Sequence, residues 1–313
     1  MDHFGELYRL TDCGESHGEA LGGIIEGCPI GLFIDKKFID NELIRRAGGN
    51  HPFATKRKEV EKVSFYSGIT NGNTTGAPIG FIIKNAHTTI DSASLNIIKP
   101  SHASFTYKEK YGALGNNFCD RASARQTICR VVAGAIAKLA LAQHHITIET
   151  AVMATGIPQK EGDSFGAKIA CTIYNLPTGL GDPVYNKFQA RLAYAMLSIN
   201  ACKGFEIGKG FESAIMCGSD YNDLQNSDFS FQTNHDGGVQ AGITNGEPVI
   251  FNLAFKPIPS INLEQQTIDF EGNPITYRST TPNDLSVVPR VLPIVEAMAA
   301  MVVLDFILLQ KIH

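Results

Sequence analysis

At 313 residues, with 43% hydrophobic and 19% charged side chains, the chain has an ordinary globular composition and can bury a large core. A formal charge of -4 supplies no general basic field, which argues against nucleic acid or an anionic membrane as partner and leaves any anionic ligand to a local cluster. Seven scattered cysteines without a CxxC pair argue against a disulfide framework and a zinc knuckle, and no metal site is expected.

The opening Met1-Asp2-His3-Phe4-Gly5 has neither a basic region nor an apolar signal core. No apolar run reaches the roughly 18 residues of a membrane span, so a cytoplasmic protein is expected. No Pro/Ser-rich linker interrupts the chain, and its 30 glycines are spread over many short turns, which predicts a single domain over 1–313. Alternating or β-branched runs predict strands at 30–35, 78–84, 146–153, 167–174 and 248–255. Ser123 with Gln126 forms a capping box that opens an alanine-rich helix to Gln143. Asp182-Pro183 supplies an N-cap and a first-turn proline for a helix reaching about Ile199. Residues 293–309 form a helix apolar around its whole circumference, hence buried on several sides. The string Gly68-Ile69-Thr70-Asn71-Gly72 recurs as Gly242-Ile243-Thr244-Asn245-Gly246, each with an Asn-Gly hairpin signal. This recurrence reads either as chance similarity of two hairpins or as an internal duplication that sets equivalent loops around one site.

Gly14-Glu15-Ser16-His17-Gly18 fits the G-x-S-x-G elbow of serine hydrolases. An elbow needs a buried strand before it and further sheet strands upstream, and the short segment ending in Tyr8-Arg9-Leu10-Thr11-Asp12 is not a buried parallel strand. The other reading makes Ser16 and His17 polar groups on a glycine-rich loop that a bulky ligand can approach, with an imidazole suited to proton exchange near neutral pH. A merely hydrogen-bonded loop histidine satisfies the same string. Lys99-Pro100-Ser101-His102 sets a second histidine beside a basic residue and a proline-fixed turn. His144 and His145 close a helix, and His235 sits in a turn-like Asn234-His235-Asp236-Gly237-Gly238 string. Arg121, Ser123 and Arg125 crowd a helix N-terminus, where free N–H groups and the positive dipole end suit a phosphate; a capped helix with two solvated arginines is the plainer alternative. Lys256-Pro257-Ile258-Pro259-Ser260 is a stiff lysine-bearing strand exit, and Arg290 follows Pro289 before the last helix. Arg45-Arg46 and Lys56-Arg57-Lys58 make a basic stretch.

In this order the motifs resemble the chorismate synthase family. GESHG at 14–18 is followed by GGIIEGCP at 22–29, TTGAPIGF at 74–81, PSHASFTYKEKYG at 100–112 and SARQT at 123–127. INACKGFEIG at 199–208, TNHDGG at 233–238, GITNGEP at 242–248, KPIPSI at 256–261 and VVPRVLPIVEAMAA at 287–300 continue it. The resemblance implies an α+β fold, a β-α-β sandwich with antiparallel sheets around a helical core, assembled as a homotetramer. It further implies reduced FMN as cofactor and the anti-1,4-elimination of phosphate from 5-enolpyruvylshikimate-3-phosphate to give chorismate, the flavin lending electron density without net redox change. By resemblance, His17 protonates the reduced flavin with Ser16 as relay partner, His102 stands near the departing phosphate, Ser123 is the second relay serine, and Asp284 assists proton removal. Arg121, Ala122, Ser123, Asn200, Ala201, Ala241, Lys256, Pro257, Ile258, Pro259 and Ser260 fall on flavin-contacting stretches, and Arg46 and Arg125 on substrate-side basic positions. The chain has no dinucleotide fingerprint, so flavin reduction, with NADPH as electron source, is assigned to a separate system.

The chain departs from the family pattern at several positions. Pro52 stands where a substrate-binding arginine is expected, Pro282 where a flavin-side arginine is expected, and Asn283 replaces a histidine. Phe118-Cys119-Asp120 replaces a triple glycine, Ala122 replaces a serine, and a helical stretch between Gly156 and Gly162 is missing. Each lost arginine contact to phosphate or carboxylate is worth roughly 1.5 to 3 kcal/mol. Two readings follow: a divergent enzyme in which Lys56, Arg57, Arg278 or Lys99 compensates, or a catalytically impaired flavin-binding paralogue. Retention of both histidines, both serines and Asp284 favours the enzyme.

Overall fold

A computed structural model describes residues 2–48, 51–55, 61–85, 96–112, 120–280 and 283–311. Pro282, Lys56, Arg57 and Cys119 lie outside the described residues. Two main sheets lie on either side of a helical layer, the β-α-β sandwich that the resemblance implies, and three two-stranded ribbons flank them.

The first half runs β1 (His3–Phe4), β2 (Arg9–Gly14), β3 (Ala20–Glu26), α1 (Lys36–Arg46), β4 (Val63–Phe65), β5 (Ile69–Thr70), β6 (Asn73–Thr74), β7 (Ile79–Lys84), α2 (Ser104–Tyr111) and α3 (Thr127–Ala142). The second runs β8 (Thr147–Thr155), β9 (Ala167–Tyr174), α4 (Phe188–Leu197), β10 (Cys202–Ile207), α5 (Gly218–Tyr221), β11 (Val239–Gln240), β12 (Ile243–Thr244), β13 (Val249–Phe255), β14 (Gln265–Ile268), β15 (Pro274–Tyr277) and α6 (Val288–Gln310). One sheet has the order β1-β2-β3-β7-β4 and the other β10-β13-β9-β8, with antiparallel neighbours throughout. Omitting β1, the two orders superimpose: β2, β3, β7 and β4 correspond to β8, β9, β13 and β10.

The correspondence extends to side chains. Thr74 Oγ1 accepts from Leu32 N at 2.9 Å and donates to Pro29 O at 2.6 Å. Thr244 Oγ1 accepts from Leu180 N at 2.9 Å and donates to Pro177 O at 2.7 Å. The internal duplication is therefore real, but its register differs from the repeated string. Asn71-Gly72, with φ of 51° and 82°, is the hairpin turn of the first half; its counterpart is Ala241-Gly242, with φ of 51° and 96°. Asn245-Gly246 lies beyond β12 and is not a hairpin turn.

Strands at 79–84, 147–155, 167–174 and 249–255 agree with the expected ones within two residues. The expected strand at 30–35 is absent. Gly31 takes φ 77°, and Asp35 turns its carboxylate onto Phe38 N at 3.1 Å to cap α1, so only the Phe33–Asn73 bridge remains. Asp182 does not cap α4 either; it closes a loop with Asn186, and the helix begins at Phe188, whose N–H donates to Gly242 O at 2.8 Å. Ser123 caps a 3-10 turn over Ala124–Gln126 before α3 proper starts at Thr127. The reciprocal half of the capping box is not made, because the Gln126 amide turns to Gly14 O.

α3 and α6 cross at the centre of the layer. A Cβ on Gly134 would stand 2.2 Å from Ala297 Cβ, so the helices meet there with only the Ala297 methyl between their backbones. Helix α6 is long and apolar enough to cross a membrane, unlike the expectation that no such segment exists, but 89% of its most apolar window is buried inside the protein. Its two acidic residues beyond the first turns are tied down. Asp305 accepts the N–H groups of Glu6, Leu7 and Tyr8 at 2.8–3.0 Å. Glu296 accepts from Arg45 at 2.7 and 2.8 Å, Lys138 at 2.6 Å and Thr150 at 2.6 Å, and Arg45 and Lys138 also hold Glu42. These pairs tie α1 and α3 to α6 and β8, since breaking a buried pair strands an uncompensated charge.

Gly134→Ala is expected to lower stability by ~1–3 kcal/mol through overpacking against Ala297. Gly218→Ala, where a methyl meets nothing within 4 Å, is expected to stay within about 0.5 kcal/mol of the parent. Urea midpoints compare the two; an unshifted midpoint for Gly134→Ala means that the helices are not so closely apposed.

Candidate active site

The GESHG segment is the turn between antiparallel strands β2 and β3, not a strand-to-helix elbow, which removes the serine-hydrolase reading. Gly14 takes φ 92°, and a Cβ there would lie 2.3 Å from Ala20 O, so glycine is required for the chain to double back. Ser16 is buried, its Oγ 3.0 Å from Nδ1 of the exposed His17. Arg121 and Gln126 donate to Gly14 O at 3.2 and 3.1 Å. On the other flank Asn85, just past β7, donates its side-chain amide to the carbonyls of Glu15, Ser16 and Gly18 at 3.1, 3.3 and 2.7 Å.

Asn85 Oδ1 accepts Arg125 Nε at 2.7 Å. The Arg125 guanidinium reaches Glu61 Oε1 at 3.1 Å, and Arg46 reaches the same oxygen at 2.7 Å. Arg46 is only 4% exposed and also donates to Ala124 O at 3.1 Å. The two arginines assigned to the substrate side thus meet on one buried carboxylate, with Arg46 inside the wall and Arg125 nearer its surface. Ser123 Oγ accepts Arg125 N at 3.3 Å.

The stretches assigned to flavin also join one another. Asn200 donates to Ala122 O at 2.8 Å, Lys256 N donates to Ala201 O at 3.0 Å, and Lys256 Nζ donates to Ser101 O at 2.8 Å, beside His102. His102 is exposed, yet its pKa is lowered: protein packed about the ring strips hydration from the charged form, and Lys99 and Lys256 repel it. Lys99 and Lys256 form no ion pair among the described residues, so their charge is available to an anion. At the far end of the 256–260 segment, Asn283 donates to Ser260 O at 3.1 Å.

Its neighbour Asp284 is gripped by Arg290, at 2.5 and 3.2 Å, and accepts Thr55 N at 2.7 Å. Arg290 also donates to Ala47 O at 2.9 Å, next to Arg46. These contacts close a ring from His17 through Asn85, Arg125, Glu61, Arg46, Arg290, Asp284, 256–260, Ala201, Asn200 and Arg121 back to Gly14. Every assigned site residue lies on or beside it except Ala241. Ala241 turns the β11–β12 hairpin at the start of α4, whereas Asn200 follows the end of that ten-residue helix, roughly 15 Å away.

Glu61 and Asn85 escape the sequence reading because they act through partners well along the chain, and nothing in the sequence marks Arg290 as turning back from the first turn of α6 onto Asp284. A cavity of about 540 Å³ on the flank of the GESHG turn is lined by Asp2, Asp12, Glu15 and Glu19 against Arg121 alone. Arg121 is already paired with Asp2 and Asp12 at 2.7 Å each. Four carboxylates make this cavity unsuited to an anion, and neither Ser16 nor His17 lines it.

The family model described as chorismate synthase matches residues 8–160 and 156–308. A chorismate synthase of Bacteroides thetaiotaomicron is 43% identical, the match covering 99% of each chain. One from Christiangramia forsetii is 44% identical over 98% of each. A solved structure described as the crystal structure of chorismate synthase superimposes with a TM-score of 0.76 at 27% identity, over 98% of this chain and 93% of that one.

Because its folded pKa is lowered, His102 contributes stability that is present above 6.5 and is lost as pH falls through the lowered folded value. An NMR titration is expected to place its midpoint below 6.5, and inorganic phosphate, by offsetting Lys99 and Lys256, is expected to raise it. A midpoint at or above 6.5 that ignores phosphate would dismiss the anion site.

Proposed function

The chain belongs to the chorismate synthase family and carries its activity, a carbon–oxygen lyase reaction on a phosphate ester in the shikimate pathway to aromatic amino acids, and we propose that this reaction runs inside the ring of residues described above. The substrate is 5-enolpyruvylshikimate-3-phosphate, which loses phosphate by anti-1,4-elimination to give chorismate. The single observation that carries this reading is the run of contacts that joins both histidine loops, Asp284 and two lysines without ion pairs among the described residues into one ring.

The residues present fit a bound flavin phosphate and an anionic substrate: Lys99 and Lys256 have no carboxylate partner among the described residues, and their field adds to the desolvation that lowers the His102 pKa. Arg121, Ala122, Ser123, Asn200, Ala201 and 256–260 would hold reduced FMN. When bound, the reduced flavin supplies electron density as the phosphate departs and recovers it, with no net redox change. Ser16 Oγ engages His17 Nδ1, which orients the ring and leaves proton exchange to Nε2. His102, neutral near pH 7, and the two lysines stabilise charge on the leaving phosphate. Asp284, oriented by Arg290 and Thr55 N, assists removal of the proton.

Ala241 lies away from this rim within one chain, which supports a contribution from a second copy in a homotetramer. The chain acts as one domain in the cytoplasm, with flavin reduced by a separate NADPH-linked system.

The test is anaerobic incubation with chemically reduced FMN and 5-enolpyruvylshikimate-3-phosphate, following chorismate absorbance and phosphate release. Product is expected. Flavin binding without product at high protein concentration identifies an impaired paralogue instead. His17→Ala is expected to slow turnover more than it weakens FMN binding; equal loss of both would make His17 a structural residue.

A further inference from the structure

Asn85 has no role in the reaction outlined above, yet the His17 loop is held through it. Lys84, the last residue of β7, pairs with Ala20, and the Asn85 N–H donates to Glu19 O at 2.9 Å, so its backbone is fixed by the sheet. From that fixed point the amide nitrogen meets three carbonyls that the turn points at one another: Glu15 O, Ser16 O and Gly18 O. Without a donor between them these dipoles repel, and the segment bearing Ser16 and His17 would relax. The amide oxygen faces Arg125 and accepts its Nε at 2.7 Å. A short planar group with donors at one end and an acceptor at the other therefore spans the proton-exchanging loop and the guanidinium nearest the substrate.

We propose that Asn85 is a positioning residue that fixes the spacing between His17 and Arg125, setting the proton donor in register with the bound anion. The proposal rests on the assignment of His17 as proton donor. It implies that the loss on altering Asn85 passes through His17, not through general stability.

Asn85→Asp separates the two ends, since it keeps an acceptor for Arg125 and removes both donors to the loop. In the anaerobic assay with chemically reduced FMN, Asn85→Asp is expected to lower kcat ~10- to 100-fold, the scale of an ångström-level misplacement. The KM for 5-enolpyruvylshikimate-3-phosphate is expected to stay within about threefold. Asn85→Ala, losing both ends, is expected to lower kcat and raise KM. In a double-mutant cycle, Asn85→Asp added to His17→Ala is expected to cost nothing further in kcat. A full multiplicative loss in the double variant overturns the proposal, as does an unchanged kcat in Asn85→Asp, or a parallel fall in FMN binding and kcat. Should Asn85→Asp fail to fold, Asn85→Ala, which also removes the donors, enters the same cycle with His17→Ala, and a full multiplicative loss of kcat in that double variant likewise overturns the proposal. If His17→Ala alone leaves turnover intact, the His17 assignment fails, and that result is read without any change at Asn85.

Discussion

The contact of Gly134 with Ala297 is the constraint on which the rest of the molecule depends. With only the Ala297 methyl between them, α3 and α6 pack closely, and their N-terminal ends open toward the same region. Arg46, at the end of α1, reaches Ala124 O just before α3, while Arg290, at the start of α6, reaches Ala47 O. The positive ends of two helix dipoles are thereby gathered beside the end of α1. The two sheets then have one place each to lie, outside this pair, and the loops at their ends have one rim to line.

The duplication explains the composition of that rim. The β2–β3 loop, the exit of β7 and the approach to α3 supply Ser16, His17, Asn85, Arg121 and Ser123. The corresponding exit of β13 and approach to α6 supply Lys256 to Ser260 and Asp284. Two copies of one plan differ in what they bring: the first half carries the Ser16–His17 loop and Lys99, and the second carries Lys256 and a carboxylate clamped by Arg290. Shared architecture brings equivalent loops together, and the differences between them make a site.

What was legible in the sequence follows from what local physics decides. The runs at 167–174 and 249–255 alternate on a buried sheet and were read almost to the residue. The apolar run at 30–35 was misread because Gly31 and Asp35 break it at both ends, and Asp182 was misread because Asn186 takes its side chain. The repeated Gly-Ile-Thr-Asn-Gly string pointed to a true duplication in the wrong register, since identity fell on turn residues while the structural equivalence followed Thr74 and Thr244. Motif resemblance pointed to His17, His102 and Asp284 as candidates. It could not reveal Glu61 or Asn85, whose meaning lies in carbonyls and guanidinium groups that only the fold brings within reach.

Asp305 adds a consequence for how the chain comes to be folded. It sits near the end of the last helix, and the backbone donors of Glu6, Leu7 and Tyr8 have it as their acceptor across as many as 299 positions of sequence. Such separations make for slow, non-local closure, because loop entropy is spent before the contacts that reward it can form. A ribosome must release nearly the whole chain before the segment between β1 and β2 can satisfy its polar groups. Until then the apolar faces of α1, α3, α4 and β8 that this last helix covers stay open to water, and the newborn chain depends on being shielded from its neighbours.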